Sequence, residues 1–280
     1  MFTSTQSAAV SPEKIRSMVV ERLKRALPDH ALRIQQDNPF RLQLVHPEAG
    51  DLVLNLGNLV HEIHCAPGSA EQMITAYVSM AKQALRPPEL DLKQVYPSLR
   101  HFEFLNGIET AENDPLIGEG PGDLVSVILA DQGDVVATLT KDTVDAAGHS
   151  PEQVLTAAEE NFVGLLRTQV YVADGPQDIL SIGLENFPWL GSGLLFVPSI
   201  FKRLMAERGW HRVHVAAPTR ETVDLIDAST TNGLDHLQRW MQERLAEPRS
   251  QSEFLFSMSI NDDMLTTTHR LTGGRLLGLN

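Results

Sequence analysis

The stretch LVSVILADQGDVVATLT (residues 124–140), followed after a polar gap by SPEQVLTAAEENF (residues 150–162), decides the fold class. Leu124 to Ala130 and Val135 to Thr140 are strand-like runs, and Asp131-Gln132-Gly133-Asp134 between them is a short loop suited to a hairpin. Ser150 then offers an N-cap hydroxyl, Pro151 suits the first helical position, and Gln153 completes a capping box. Val154, Leu155, Ala158, Phe162, Leu165 and Leu166 supply the apolar stripe of the helix that follows. A hairpin beside an amphipathic helix opens an α+β unit.

Working outward, the downstream residues continue that unit. Strands are expected over Gln169 to Ala173, Ile179 to Leu184, Val213 to Ala217 and Val223 to Asp227. Helices are expected over Pro198 to Arg208, stopped by Gly209, and over Gly233 to Ala246, with two closing strands around Asn261-Asp262-Asp263. This makes a C-terminal unit over 123–272, a mixed, mainly antiparallel sheet with about three helices, followed by a tail at 273–280.

Upstream, Ser11-Pro12-Glu13 starts a helix carried by Ile15, Met18, Val19, Leu23 and Leu27. From Leu32 the apolar period changes to two: Leu42 and Leu44, then Leu52, Leu54 and Leu56, with turn chemistry at Pro47 to Gly50. A third strand is expected over Leu59 to Cys65, and Ser69 with Gln72 reads as a capping box for a helix through Leu85. The first unit, residues 1–88, is thus a helix, a three-stranded meander and a helix, closed by Pro87-Pro88. Residues 89–122, rich in Pro, Gly, Asn and acids, read as connector or edge structure.

Composition narrows the function. The 280 residues carry 36 Asp and Glu against 23 Lys and Arg, a net charge of −13 that disfavours nucleic acid and anionic membranes as partners. No apolar run has the roughly 18 residues of a membrane span, and Met1 to Val10 lacks the pattern of a signal peptide. The single cysteine, Cys65, fits a reducing compartment, so a cytoplasmic location is expected.

Several segments occur in the order found in the YtpQ-like family, an uncharacterised group of bacterial proteins. They are Val95-Tyr96-Pro97-Ser98-Leu99-Arg100, the strand pair from Leu124 to Thr140, the helix ending Ala157-Ala158-Glu159-Glu160-Asn161-Phe162, and Val215-Ala216-Ala217-Pro218-Thr219-Arg220-Glu221. The resemblance spans Pro88 to Thr267 and implies a fold without an assigned activity. It departs from the family before the helix near Pro198, where Gly191-Ser192-Gly193-Leu194-Leu195-Phe196 replaces a Tyr-Glu-Ala-Ser-like stretch. The N-terminal outline is similar to that of small acidic secretion chaperones, which implies binding of a client segment.

The chemistry-bearing residues divide into excluded sites and candidates. His61-Glu62-Ile63-His64-Cys65 contains zinc-ligand types, but a strand puts His61 and Cys65 on one face and His64 on the other, so no metal or cofactor is expected there. Gly118 to Gly122 lacks the lysine of a P-loop, and Gly191-Ser192-Gly193 lacks the spacing of a nucleophile elbow. Candidate binding residues are Arg100, Trp189, Arg220 and Glu221. Thr219-Arg220-Glu221 follows an apolar strand, and Arg220 is suited to a bidentate carboxylate contact with a ligand or with Asp224 or Asp227. Trp189 sits in the apolar cluster Asn186-Phe187-Pro188-Trp189-Leu190, either as a core plug or as a contact surface. The expected function is a non-catalytic protein-binding, adaptor or chaperone-like module with a protein partner. The alternative is a hydrolase in which Arg100 or Arg220 holds an anionic small molecule.

Overall fold

The computed structural model describes residues 10–35, 38–46, 50–85, 90–107, 114–133, 136–247 and 250–279. The Pro87-Pro88 stop lies outside them, as do parts of the turn at 47–50 and of the loop at 131–134. The chain has a mixed α+β fold and divides into two compact units: Met1–Glu89 with Gln132–Ala137, and Leu90–Asp131 with Thr138–Asn280. Among the described residues no helix is long and apolar enough to cross a membrane.

In the first unit, Ser11 caps α1 (Pro12–Ala26) by accepting from Lys14 N at 3.3 Å, and Ile15, Val19 and Leu23 are buried. Strands β1 (Ala31–Ile34), β2 (Arg41–His46) and β3 (Gly50–Asn55) form an antiparallel sheet in that order. Two helices follow, α2 (Gly57–Cys65) and α3 (Ala70–Ala84). Leu42, Leu44 and Leu54 from the sheet pack with Leu59, Ile63, Ile74 and Val78 from the helices in one core. Arg22 of α1 ties to α3 by donating to Thr75 Oγ1 at 2.7 Å and pairing with Glu71.

Three expectations for this unit are corrected. Leu59 to Cys65 is not a strand: Leu59 and Ile63, four residues apart, reach the core while His61 and Cys65 are exposed, which one face of a helix allows, whereas an alternating strand would put all four on the same face. Ala31–Ile34 is the third member of the meander, so the order is helix, meander, two helices. Ser69 makes no side-chain cap; the 3-10 turn Pro67–Ser69 leads into α3 instead.

The second unit contains β4 (Val95–His101), β5 (Ile117–Glu119) and β6 (Leu124–Asp131), with sheet order β4-β6-β5, whereas β7 (Val136–Thr138) straddles the division, Val136 and Ala137 falling in the first unit and Thr138 in the second. The expected connector at 89–122 is therefore partly core: β4 pairs with β6 along its length, and Val95, Tyr96, Ser98, Leu99 and Arg100 are buried. Pro97 is tolerated because β4 is an edge strand. A short helix the sequence reading did not separate, α4 (Lys141–Ala146), is capped by Thr140, which accepts from Thr143 N at 3.3 Å. Then comes α5 (Pro151–Leu166), where both arms of the Ser150–Gln153 capping box form. Asn161 on α5 donates to the carbonyls of Leu92 and Val95 at 2.7 and 2.9 Å, holding the helix against β4.

The remaining chain supplies β8 (Val170–Asp174), β9 (Leu180–Leu184), a 3-10 segment (Pro188–Phe196), α6 (Pro198–Arg208), β10 (Arg212–Ala216), β11 (Thr222–Asp227), α7 (Gly233–Leu245), β12 (Phe254–Ser259), β13 (Thr266–Thr272) and β14 (Arg275–Gly278). Seven of these strands form one sheet, β14-β13-β12-β10-β11-β9-β8, with every pairing antiparallel. Both faces are covered. Val213, Val215, Val223, Leu225 and Phe256 pack with Phe201 and Met205 of α6, whereas Ala216, Ile226 and Leu255 pack with Leu237 and Met241 of α7. Among the described residues this unit has antiparallel sheets and four α-helices, in keeping with the expected mainly antiparallel α+β unit with about three helices. The expected tail at 273–280 is also corrected: Gly273 and Gly274, at φ 56° and 78°, make a two-residue hairpin that returns β14 onto β13.

Candidate functional site

The first unit carries an apolar cleft of about 700 Å³ lined by Leu52, Leu54, Leu59, Met73, Tyr77 and Met80. It runs beside β3, the sheet edge whose one strand partner among the described residues is β2. The outer backbone groups of such an edge can pair with an added strand. On α3, Ile74, Val78 and Ala81 face the core, while Met73, Tyr77 and Met80 form the next stripe round and are half-buried. Tyr77 donates to the carbonyl of Asn55 at 3.1 Å, anchoring one wall; burial pushes its hydroxyl far above the ordinary tyrosine range. The sequence reading missed this cleft. Its trace is an apolar face on α3 wider than the core requires.

The helical form of residues 57–65 changes the histidine-cysteine cluster. Cys65 Sγ lies 3.6 Å from His61 Nε2 across one turn, and His64 Nε2 contacts the carbonyl of Val10 at 3.2 Å. Among the described residues no group of three or more His, Cys, Asp or Glu could hold a metal ion. His211 immediately precedes β10 and His214 is its middle residue, where the imidazole is held below its ordinary value by burial and then by neighbouring His269 and Arg212.

In the second unit the four candidate residues converge. Arg100, at the end of β4, is 8% exposed. Its Nη1 donates to the carbonyls of Leu99 at 2.7 Å and Trp189 at 3.4 Å and to Ser98 Oγ, and Cζ sits 5.9 Å from the Phe104 ring. Burial lowers its pKa to about 9, and the nearby Arg220 guanidinium adds to the shift. Arg220 is joined to this junction through its carbonyl, which accepts from Ser192 N at 3.0 Å. Ser192 Oγ in turn accepts from Gln251 Nε2 at 3.1 Å, and the same nitrogen bonds the carbonyl of Leu99. Gly191 is required there: a Cβ would sit 1.8 Å from the carbonyl oxygen of Glu221. The Gly-Ser-Gly stretch is thus a close backbone approach, and fully buried Ser192 is a hydrogen-bond relay. Trp189 is half-buried and packs edge-on to Tyr96, 5.9 Å between centroids, against the core of this unit.

Two further polar groups lie apart from the candidates. Asp123 accepts from Ser252 Oγ at 2.5 Å and Glu253 N at 3.2 Å and lies 3.5 Å from His101 Nε2. Serine and histidine therefore both address the carboxylate, whereas a nucleophilic relay needs the histidine between the other two. Asp224, weighed from sequence as a partner for Arg220, is fully buried and accepts from Ser181 Oγ at 2.6 Å, Trp240 Nε1 at 2.9 Å and Thr222 Oγ1 at 3.4 Å. Burial raises its pKa, and these donors, with Arg244, oppose the rise. Asp227 engages Ser229 instead. The signal for the Asp224 group was a lone charge inside the apolar run Val223 to Ile226.

No family model, no curated protein and no solved structure matches this chain.

Proposed function

We propose that this protein is a non-catalytic, cytoplasmic binding module whose first unit receives an extended segment of a partner protein, apolar at alternate positions and basic at its flanks. The observation that carries this reading is the cleft of about 700 Å³ beside the β3 edge. Leu52, Leu54 and Leu59 provide apolar contact area, Met73 and Met80 adapt to different side chains, and the strand edge offers main-chain hydrogen bonds that any extended segment can accept. The net charge of −13 supports basic flanks on the partner. The resemblance of residues 88–267 to the YtpQ-like family belongs to the same proposal and rests on the segments quoted above.

The test is to pan a random dodecapeptide library on the full chain and measure the enriched peptides by fluorescence anisotropy. Enrichment of alternating apolar sequences with Lys or Arg flanks is expected, with binding reduced at least tenfold by Met80→Glu and unchanged by Arg100→Lys. No enrichment, enriched peptides indifferent to Met80→Glu, or a dimer in native mass spectrometry that is lost on Met80→Glu would overturn the reading. The hydrolase alternative gains only from turnover of an anionic ester that Arg100→Lys abolishes.

A further inference from the structure

The buried Arg100 guanidinium poses a separate problem of charge. Buried cations are ordinarily paired, because removing one from water costs several kcal/mol unless an anion or a full set of hydrogen bonds compensates. No carboxylate pairs with Arg100 among the described residues. Its partners there are Ser98 Oγ, two carbonyls and the Phe104 ring, all neutral. A second guanidinium, Arg220, is close enough to act on it unfavourably. All three hydrogen bonds fall on Nη1, leaving the Nε–Nη2 edge without a protein acceptor among the described residues.

That edge is the side-on fork, whose two parallel N–H donors match the two oxygens of a carboxylate or phosphate. Nη1 is fixed from behind by β4 and by the carbonyl of Trp189, so the fork is held in one orientation before any ligand arrives. The surrounding geometry is rigid as well. Gly191 lies against Glu221, Ser192 bonds the carbonyl of Arg220, and Gln251 links Ser192 to Leu99. With only 8% of Arg100 exposed, what reaches the fork must be a small group.

We propose that Arg100, backed by the positive charge of Arg220, is a binding site for the oxyanion of a small molecule, a carboxylate or phosphate group engaged bidentately through Nε and Nη2. The site stands in the second unit and does not depend on the peptide reading of the cleft.

The experiment is to follow thermal unfolding of the full chain at pH 7 in increasing sodium phosphate and, separately, sodium acetate, each against sodium chloride at matched ionic strength. A ligand that binds only the folded state raises Tm in proportion to the logarithm of its concentration once above Kd. A rise in phosphate or in acetate that grows with the logarithm of concentration beyond the chloride control is expected, and whichever anion produces it identifies the oxyanion class. Arg100→Lys keeps the charge but loses the fork, so at least a tenfold weaker apparent Kd is expected. Arg220→Gln should weaken binding less than Arg100→Lys. Tm in both anions indistinguishable from chloride would overturn the proposal in the wild-type chain, even if the Arg100 variant fails to fold. A response that survives intact in folded Arg100→Lys would overturn it as well.

Discussion

The three-stranded sheet of the first unit and the seven-stranded sheet of the second solve burial differently. In β2, Leu42 and Leu44 are buried while Arg41, Gln43 and Val45 are only partly so, the pattern of a sheet with one covered face. In β11 all of Thr222 to Ile226 are buried, because α6 covers one face and α7 the other. A sheet covered once keeps an apolar cleft beside its edge strand β3, where another chain could add. A sheet covered twice must place any charge inside the protein, and Asp224 is held there by three side-chain donors. The first arrangement suits binding of a segment; the second suits rigid placement of individual polar groups.

The contrast is most exposed to charge scanning. Leu225→Asp and Ile226→Asp, adjacent and pointing to opposite faces of the larger sheet, are each expected to cost more than about 4 kcal/mol, since each would bury an unpaired carboxylate. Val53→Asp in the smaller sheet, at 36% exposure, should change stability by about 0.5 kcal/mol or less. Denaturant titration of the three variants decides it, and tolerance at Ile226 would break the claim that α7 seals its face. The close approach at Gly191 comes next: Gly191→Ala should cost about 1–3 kcal/mol or more, because the obstructing atom is the Glu221 main-chain carbonyl and cannot rotate aside. A neutral result by the same titration would show that the 3-10 segment can shift away from β11.

Helix capping sharpens the comparison at smaller magnitude. Ser150→Ala removes an observed cap from α5 and should cost about 1 kcal/mol, whereas Ser69→Ala removes no cap bond and should be near neutral. Equal losses in thermal unfolding would contradict the local geometry of one of the two helices. The smallest effect concerns pH. The folded His214 pKa lies below its ordinary 6.5, so the unfolded chain takes up the proton more readily. The stability this residue contributes is complete above about pH 6.5 and is lost as pH falls through the lowered folded value. Besides His269 and Arg212, which deepen the shift, Asp227 opposes it. In His214→Gln the decline in Tm from about pH 7 to pH 5 should be shallower than in the parent chain; an unchanged slope would assign that decline to other groups.

How far the sequence could be read follows from the same contrast. Alternation at Leu42, Leu44, Leu52 and Leu54 placed β2 and β3, and Ser150-Pro151-Glu152-Gln153 placed the start of α5, because each signal is complete within a few residues. Residues 57–65 were misread since Leu59, Ile63 and the following Pro67-Gly68 fit a short strand or a short helix equally well, and only packing under the sheet selects the helix. Strand β4 was missed because its run contains a proline and two polar residues, Ser98 and Arg100, that are buried by contacts from residues as distant as Trp189.

The sequence by itself determined the α+β class, the capped helices, the central strands and the acidic surface, all of which depend on neighbours in the chain. Arg100, Trp189, Arg220 and Glu221 could be singled out as residue types at strand and loop positions. Their convergence, the neutral partners of Arg100, the sealed position of Ser192 and the cleft beside β3 were decided by tertiary structure. The physical reason is that burial and hydrogen-bond satisfaction are properties of a place. Leu99 and Gln251 meet across 152 residues of chain, and no local pattern encodes such a meeting.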